Sequence, residues 1–157
     1  MDAHKEYMRQ AIDLATTNVT SGAGGPFGAV IVRDGKVIAT GVNRVTATND
    51  PTAHAEVTAI RNACAALGTF ELSGCTIYSS CEPCPMCLAA ILWARCDALF
   101  YGSTAGDAAE GGFDDSYFYE QVRLEPKDRV LPCACLLRDE ARVSFDRWRE
   151  QAGKIEY

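Results

Sequence analysis

His54-Ala55-Glu56 and the later run Pro83-Cys84-Pro85-Met86-Cys87 carry residue types that could activate water. One imidazole and two thiolates make a three-point zinc site, and three protein ligands leave a fourth position open for water. Bound zinc lowers the pKa of that water to about 7, so hydroxide is available at neutral pH. Glu56, two residues beyond His54, is free to move protons. A closed structural zinc would need a fourth protein ligand, Cys81 or His4, and would leave Glu56 without a role. A CxxC redox pair would leave both His54 and Glu56 without one.

These side chains need elements to hold them. Met8, Ile12 and Ala15 form one stripe, with Ala11 and Leu14 alongside, which predicts a helix from about Lys5 to Thr17. Gly22, Gly24, Gly25 and Pro26 then open a loop. Ala29–Val32 and Val37–Ala39 flank Asp34-Gly35, a hairpin signal. Asp50-Pro51-Thr52 starts a helix from about Ala53 to Leu67, ended by Gly68, so His54 and Glu56 fall in its first turn. Cys75–Ser79 reads as a third strand. Pro83 and Pro85 start another helix, to about Arg95. Cys84 and Cys87, three apart, share a face at its start, where the helix dipole favours thiolates. Ala98–Tyr101 is a fourth strand, Gly102–Asp115 a loop, Leu131–Leu137 a fifth strand, Ser144–Ala152 a last helix, and Gly153–Tyr157 a tail. Strands alternating with helices imply an α/β layered fold, with the site where two helix N-termini converge.

At 157 residues the length fits a single domain, residues 1–157. The net charge of −6 argues against a partner rich in phosphates. The clustered cations Arg142, Arg147 and Arg149 are interleaved with Asp139, Glu140, Asp146 and Glu150, a solvated helix face. This balance points to a small uncharged substrate, with no nucleic acid expected. No apolar run reaches the roughly 20 residues of a membrane span, and the first residues lack a signal peptide's apolar region, so the chain reads as cytoplasmic with no membrane partner. In that compartment the eight cysteines stay reduced. Cys64, Cys75 and Cys96 read as small core hydrophobes. Cys133-Ala134-Cys135 reads as strand packing in preference to a second metal point or a redox pair.

Other residues keep two readings. Phe27, after the glycine loop, is either a core plug or a stacking wall for a planar base. Asn43 is either a turn residue or an amide that pairs with a heterocycle edge. Trp93 reads as core, Asp114 and Asp115 as solvated loop carboxylates, and Tyr157 as the end of a frayed terminus.

The pattern H-x-E followed by P-C-x-x-C is a signature of zinc-dependent nucleobase deaminases. Pro26–Val30, Asn43, Asn49–Ile60 and Ser80–Cys87 resemble the cytidine and deoxycytidylate deaminase superfamily. Gly112–Ser116, the helix holding Phe145, Trp148 and Arg149, and the terminal Lys154, Glu156 and Tyr157 are similar to its bacterial-type guanine deaminases. The resemblance covers nearly the whole chain and is weaker between Val122 and Val143. It implies a three-layer α-β-α fold around a mostly five-stranded mixed sheet. It implies zinc held by His54, Cys84 and Cys87, with Glu56 as the proton-transfer catalyst. It places Asn43, Phe27, Ala55, Trp93 and Asp115 around a purine base. It also implies a homodimer in which the C-terminal segment, about residues 140–157, is exchanged, so that Tyr157 closes the partner's site. The activity implied is hydrolytic deamination of guanine at C2. Rivals are a tRNA adenosine deaminase, a deaminase of another small base (guanosine, cytosine, ammeline) and a zinc-stabilised binding module without catalysis.

Overall fold

The computed structural model describes residues 2–157. Helix α1 (Ala3–Thr20) starts where the Asp2 side chain accepts a hydrogen bond from the His4 N–H at 3.1 Å, a standard N-cap. Strands β1 (Gly28–Arg33) and β2 (Lys36–Val42) form a hairpin. Its two turn residues, Asp34 and Gly35, have φ of 50° and 71°, the left-handed pair of a type I′ turn. A single turn, α2 (Val45–Thr48), and helix α3 (Ala55–Leu67) follow. Next come β3 (Cys75–Cys81), α4 (Pro85–Trp93) and β4 (Ala98–Ser103). Then α5 (Ala105–Glu110), α6 (Ser116–Arg123) and α7 (Arg138–Glu150) lead to the tail.

The sheet order is β2-β1-β3-β4, antiparallel except for the parallel pair β3–β4. Side chains alternate across it. Ala29, Ile31 and Ile77 face α3 and α4, packed with Ala59, Ala63 and Ile91. Val30, Val32 and Tyr78 face α1 and pack on Ala11. The result is three layers, α-β-α. Layer spacing is tight at one crossing. A Cβ on Gly41 would lie 2.3 Å from the Ala55 carbonyl oxygen and 2.4 Å from the Ala59 nitrogen, so only glycine lets α3 sit so close to β2.

The register lines the strand ends up at one edge. Gly28 pairs with Val42, Ala29 with Ser79, and Cys81 with Ser103. Phe27, Asn43, Glu82 and Thr104 are the next residues along, so one sheet edge carries all four.

The expected fifth strand is absent among the described residues. Leu131–Leu137 forms no ladder, and Leu131 and Leu136 are 74% and 80% exposed. Its apolar composition shows a preference for burial, yet Pro132 lacks a donor and no strand lies alongside to pair with. The sheet is therefore four-stranded. Cys133 and Cys135 lie in this segment, both exposed, so the strand-packing reading of them fails as well. The loop expected over Gly102–Asp115 contains α5, and the last helix starts at Arg138, earlier than expected, where Asp139 and Glu140 suit a first turn.

Candidate active site

His54 and Cys84 occupy equivalent places, each the residue before a helix, with φ/ψ of −67°/160° and −65°/167°. Neither side chain caps its own helix, so imidazole and thiol are both left for other work. Cys87 lies in the first turn of α4, buried, on the same side as Cys84. The ligand atoms of His54, Cys84 and Cys87 lie within 4.8 Å of one another. The His54 Nδ1 is 3.6 Å from the Cys84 Sγ and 3.4 Å from the Cys87 Sγ. Tetrahedral zinc with bonds of about 2.3 Å to sulfur and 2.0–2.1 Å to nitrogen separates N and S by about 3.6 Å. The donor set thus fits zinc in type and in spacing.

The three groups are tied electrostatically. A hydrogen bond from Cys87, then one from His54, draws the Cys84 thiol down to about 4. That same bond, followed by burial, pushes Cys87 up. Hydrogen bonding to Cys84 raises His54 above the usual imidazole value.

Glu56, in the first turn of α3, is 5% exposed. A buried carboxylate needs a partner, and the Ser79 hydroxyl donates to its Oε1 at 2.9 Å. Glu56 stands in the first turn of α3 and Ser79 in β3, so the carboxylate is held between a helix and a strand.

A cavity of about 330 Å³ opens on these groups. Its lining includes Phe27, Asn43, His54, Glu56, Cys84 and Asp115, together with Glu82 and Phe113. Phe27 and Phe113 meet edge to face at 5.0 Å between centroids, forming one apolar wall. The Asn43 Oδ1 accepts from the Val45 N–H at 3.3 Å. Its NH₂ group therefore remains for an acceptor outside the protein. Asp115 precedes α6 without capping it, because Asp114 accepts from the Ser116 N–H at 2.9 Å instead. Burial, and then the nearby Cys84, raises the Asp115 carboxyl above the usual carboxylate value.

Three expected residues lie outside the lining. Ala55 is completely buried, so only its main chain is left to act, an N–H with no acceptor inside the helix. Trp93 is at the far end of α4, 61% exposed, and does not wall the cavity of its own chain. Tyr157 is 77% exposed, with its ring 6.1 Å from that of Trp93. His4, named above as a possible fourth ligand of a closed zinc, hydrogen-bonds the Tyr78 hydroxyl at 2.7 Å on the opposite side of the sheet from α3, away from the donor set.

Several contributors escaped the sequence reading. Asn18 is buried in α1 and donates its Nδ2 to the carbonyls of Gly25 (2.8 Å) and Asn43 (3.0 Å), fixing the loop that bears Asn43. A signal existed, since Asn18 continues the Ala11–Ala15 stripe, where a polar residue demands a partner. Ser79, Phe113 and Glu82 had no comparable periodic signal.

Residues 1–103 match the cytidine and deoxycytidylate deaminase zinc-binding region. Over 154 residues the chain is 52% identical to the guanine deaminase of Bacillus subtilis, covering 98% of this chain and 99% of that one. An X-ray structure of guanine deaminase from Bacillus subtilis superposes with a TM-score of 0.95 over 98% of each chain, at 52% identity. A tRNA-specific adenosine deaminase of Agrobacterium fabrum is 52% identical over 89 residues, covering 55% of this chain and 59% of that one.

Proposed function

The chain belongs to the cytidine and deoxycytidylate deaminase family, and we propose from this that it is a zinc-dependent guanine deaminase, hydrolysing guanine to xanthine and ammonia. The observation that carries the reading is one cavity holding the His54–Cys84–Cys87 donor set, the buried Glu56, and a separate recognition rim of Asn43, Phe27 and Asp115.

Zinc held by His54, Cys84 and Cys87 supplies a Lewis acid that makes hydroxide available near neutral pH. The protein's own groups do the rest. Ser79 occupies one Glu56 oxygen and leaves the other for proton work. As the water oxygen bonds C2, Glu56 takes the released proton and places it on the adjacent ring nitrogen. It then carries the proton of the new C2 hydroxyl to the departing amine as the C2–N bond breaks. One water is consumed, and xanthine and ammonia leave. The Asn43 NH₂ donates to an acceptor on the purine edge, Asp115 accepts from a ring N–H, and the Phe27–Phe113 wall packs on the ring. The buried Ala55 offers a main-chain N–H.

Several features support a homodimer with an exchanged C-terminal segment. No residue of α7 is buried, and Phe145, Ile155 and Tyr157 are 65%, 67% and 77% exposed. Apolar area of this size favours a covering partner, and Tyr157 stands outside its own cavity. A partner's Tyr157 would close the site as a lid, with Trp93 beside it. One domain over residues 1–157 fits a core shared by α1, α3, α4 and the sheet. No helix among the described residues is long and apolar enough to cross a membrane. All eight cysteines are free, as a cytoplasmic setting requires.

The test is ammonia release from zinc-loaded protein given guanine, guanosine, adenine, cytosine, cytidine, ammeline or a tRNA anticodon stem. Guanine well above the rest is expected. Turnover of tRNA alone, or silence with zinc bound, would refute the reading.

A further inference from the structure

Asp115 and Phe113 enter the cavity from a segment that the core hardly holds. No residue of α5 or α6 is buried, and Tyr117, Phe118 and Val122 of α6 are 46%, 52% and 60% exposed. Apolar packing therefore does little to place this segment. Polar bonds to the loop leading into the zinc ligands do more. The Glu82 N–H donates to the Ser103 carbonyl at 2.8 Å, and the Glu82 Oε2 accepts from the Ala105 N–H at 2.8 Å. The Cys81 thiol reaches the Thr104 carbonyl at 3.7 Å. At the other end, the Tyr119 hydroxyl donates to the Pro83 carbonyl at 2.5 Å, beside Cys84. Tyr119 is one helical turn beyond Asp115, and its N–H bonds the Asp115 carbonyl at 3.1 Å.

We propose that Glu82 and Tyr119 are positioning residues that brace the 105–119 segment against the zinc-ligand loop and so set where Asp115 and Phe113 meet the base. The proposal rests on the guanine reading for the identity of that base. Glu82 acts here as an acceptor, not as a charge, and Tyr119 acts through its hydroxyl alone. The two clamps grip opposite ends of the segment, so losing either frees the stretch between them.

The experiment compares Tyr119→Phe, Glu82→Ala and Glu82→Gln with wild type in the zinc-loaded full chain. Three readouts are taken: zinc stoichiometry, the KM and kcat for guanine, and amide exchange across residues 105–119. Tyr119→Phe and Glu82→Ala are expected to raise KM about threefold to tenfold, as for loss of one ordinary hydrogen bond, with kcat changed less and zinc retained. Exchange across 105–119 should quicken while α3 is unaffected. Glu82→Gln, whose amide oxygen still accepts from Ala105, should keep exchange across 105–119 at the wild-type rate. Unchanged exchange and KM in Tyr119→Phe would overturn the proposal. So would zinc loss in step with activity, or exchange across 105–119 as fast in Glu82→Gln as in Glu82→Ala. If wild type leaves guanine untouched, the guanine reading fails, and amide exchange alone still decides whether the brace exists.

Discussion

Replacing Glu56 by glutamine isolates proton transfer from everything else the residue does. The carboxylate is 5% exposed and accepts from Ser79 at 2.9 Å, so alanine would open a gap and strand that hydroxyl. A buried group left without its partner costs about 1–3 kcal/mol of stability, which would mix folding with chemistry. Glutamine keeps the shape and an oxygen for Ser79, but it cannot take up a proton. Loss of a general acid–base group costs about 10²–10⁴-fold. At about 1.36 kcal/mol per decade, the barrier rises by about 2.7–5.4 kcal/mol. Because the proposed mechanism uses Glu56 in two successive transfers, the upper end is expected. The donor cluster consists of His54, Cys84 and Cys87, so zinc content should not change. The assay follows xanthine formation by absorbance, alongside metal analysis and a melting curve. A kcat/KM within tenfold of wild type would refute the role given to Glu56. Zinc lost in proportion to activity would make it a ligand or a structural prop.

Four further outcomes are expected. Asn43→Ala should raise the KM for guanine about threefold to tenfold with less change in kcat, as measured by steady-state kinetics, since one recognition hydrogen bond is removed. Gly41→Ala should lower stability by about 1–3 kcal/mol or more in denaturant titration, because its Cβ would stand 2.3 Å from the Ala55 carbonyl oxygen. Deleting residues 151–157 should suppress turnover, and mixing that variant with Glu56→Gln should restore part of it if the tail works in the partner's site; mixtures no more active than their components would exclude the exchange. Asp107 accepts from the Thr104 N–H and hydroxyl, and these bonds lower its carboxyl below 3.8. Its contribution to α5 is therefore present above the ordinary value and is lost as the pH falls through the lowered one, so an NMR titration of Asp107 should give a midpoint under 3.8.

The donor set and its two helices could be read from sequence because their signals are local. Pro85 starts α4, Asp50-Pro51-Thr52 forms the turn just before α3, the cysteine spacing puts two thiols on one side, and His54 and Glu56 fall at the head of a periodic run. The first four strands followed from short apolar runs and from the Asp34-Gly35 turn. Ser79, Glu82 and Tyr119 could not be read in the same way. Their partners are Glu56, Ala105 and Pro83, each more than twenty residues away in the chain and brought near only by the fold. The fifth strand failed for a related reason. An apolar run such as Leu131–Leu137 records a need for burial, but a strand exists only if a neighbour is there to pair with it.

The way the site is divided between elements carries its own consequence. Glu56 and the zinc donors stand on α3 and α4, pressed on the sheet through Ala59, Ala63 and Ile91. The groups proposed to meet the base come from the sheet's edge and from lightly packed chain: Phe27 before β1, Asn43 after β2, and Phe113 and Asp115 on the segment after β4. Chemistry is thus tied to the stable core, and recognition to parts that can change without disturbing it. A match to a tRNA-specific adenosine deaminase that covers 55% of this chain fits that division. Relatives can share the water-activating set and differ in the rim. Exchanging Phe113 or Asp115 should then shift preference among small bases while zinc binding and thermal stability stay near wild type. The same exchange at Ser79 or Ala59 should cost stability first, whichever base is offered.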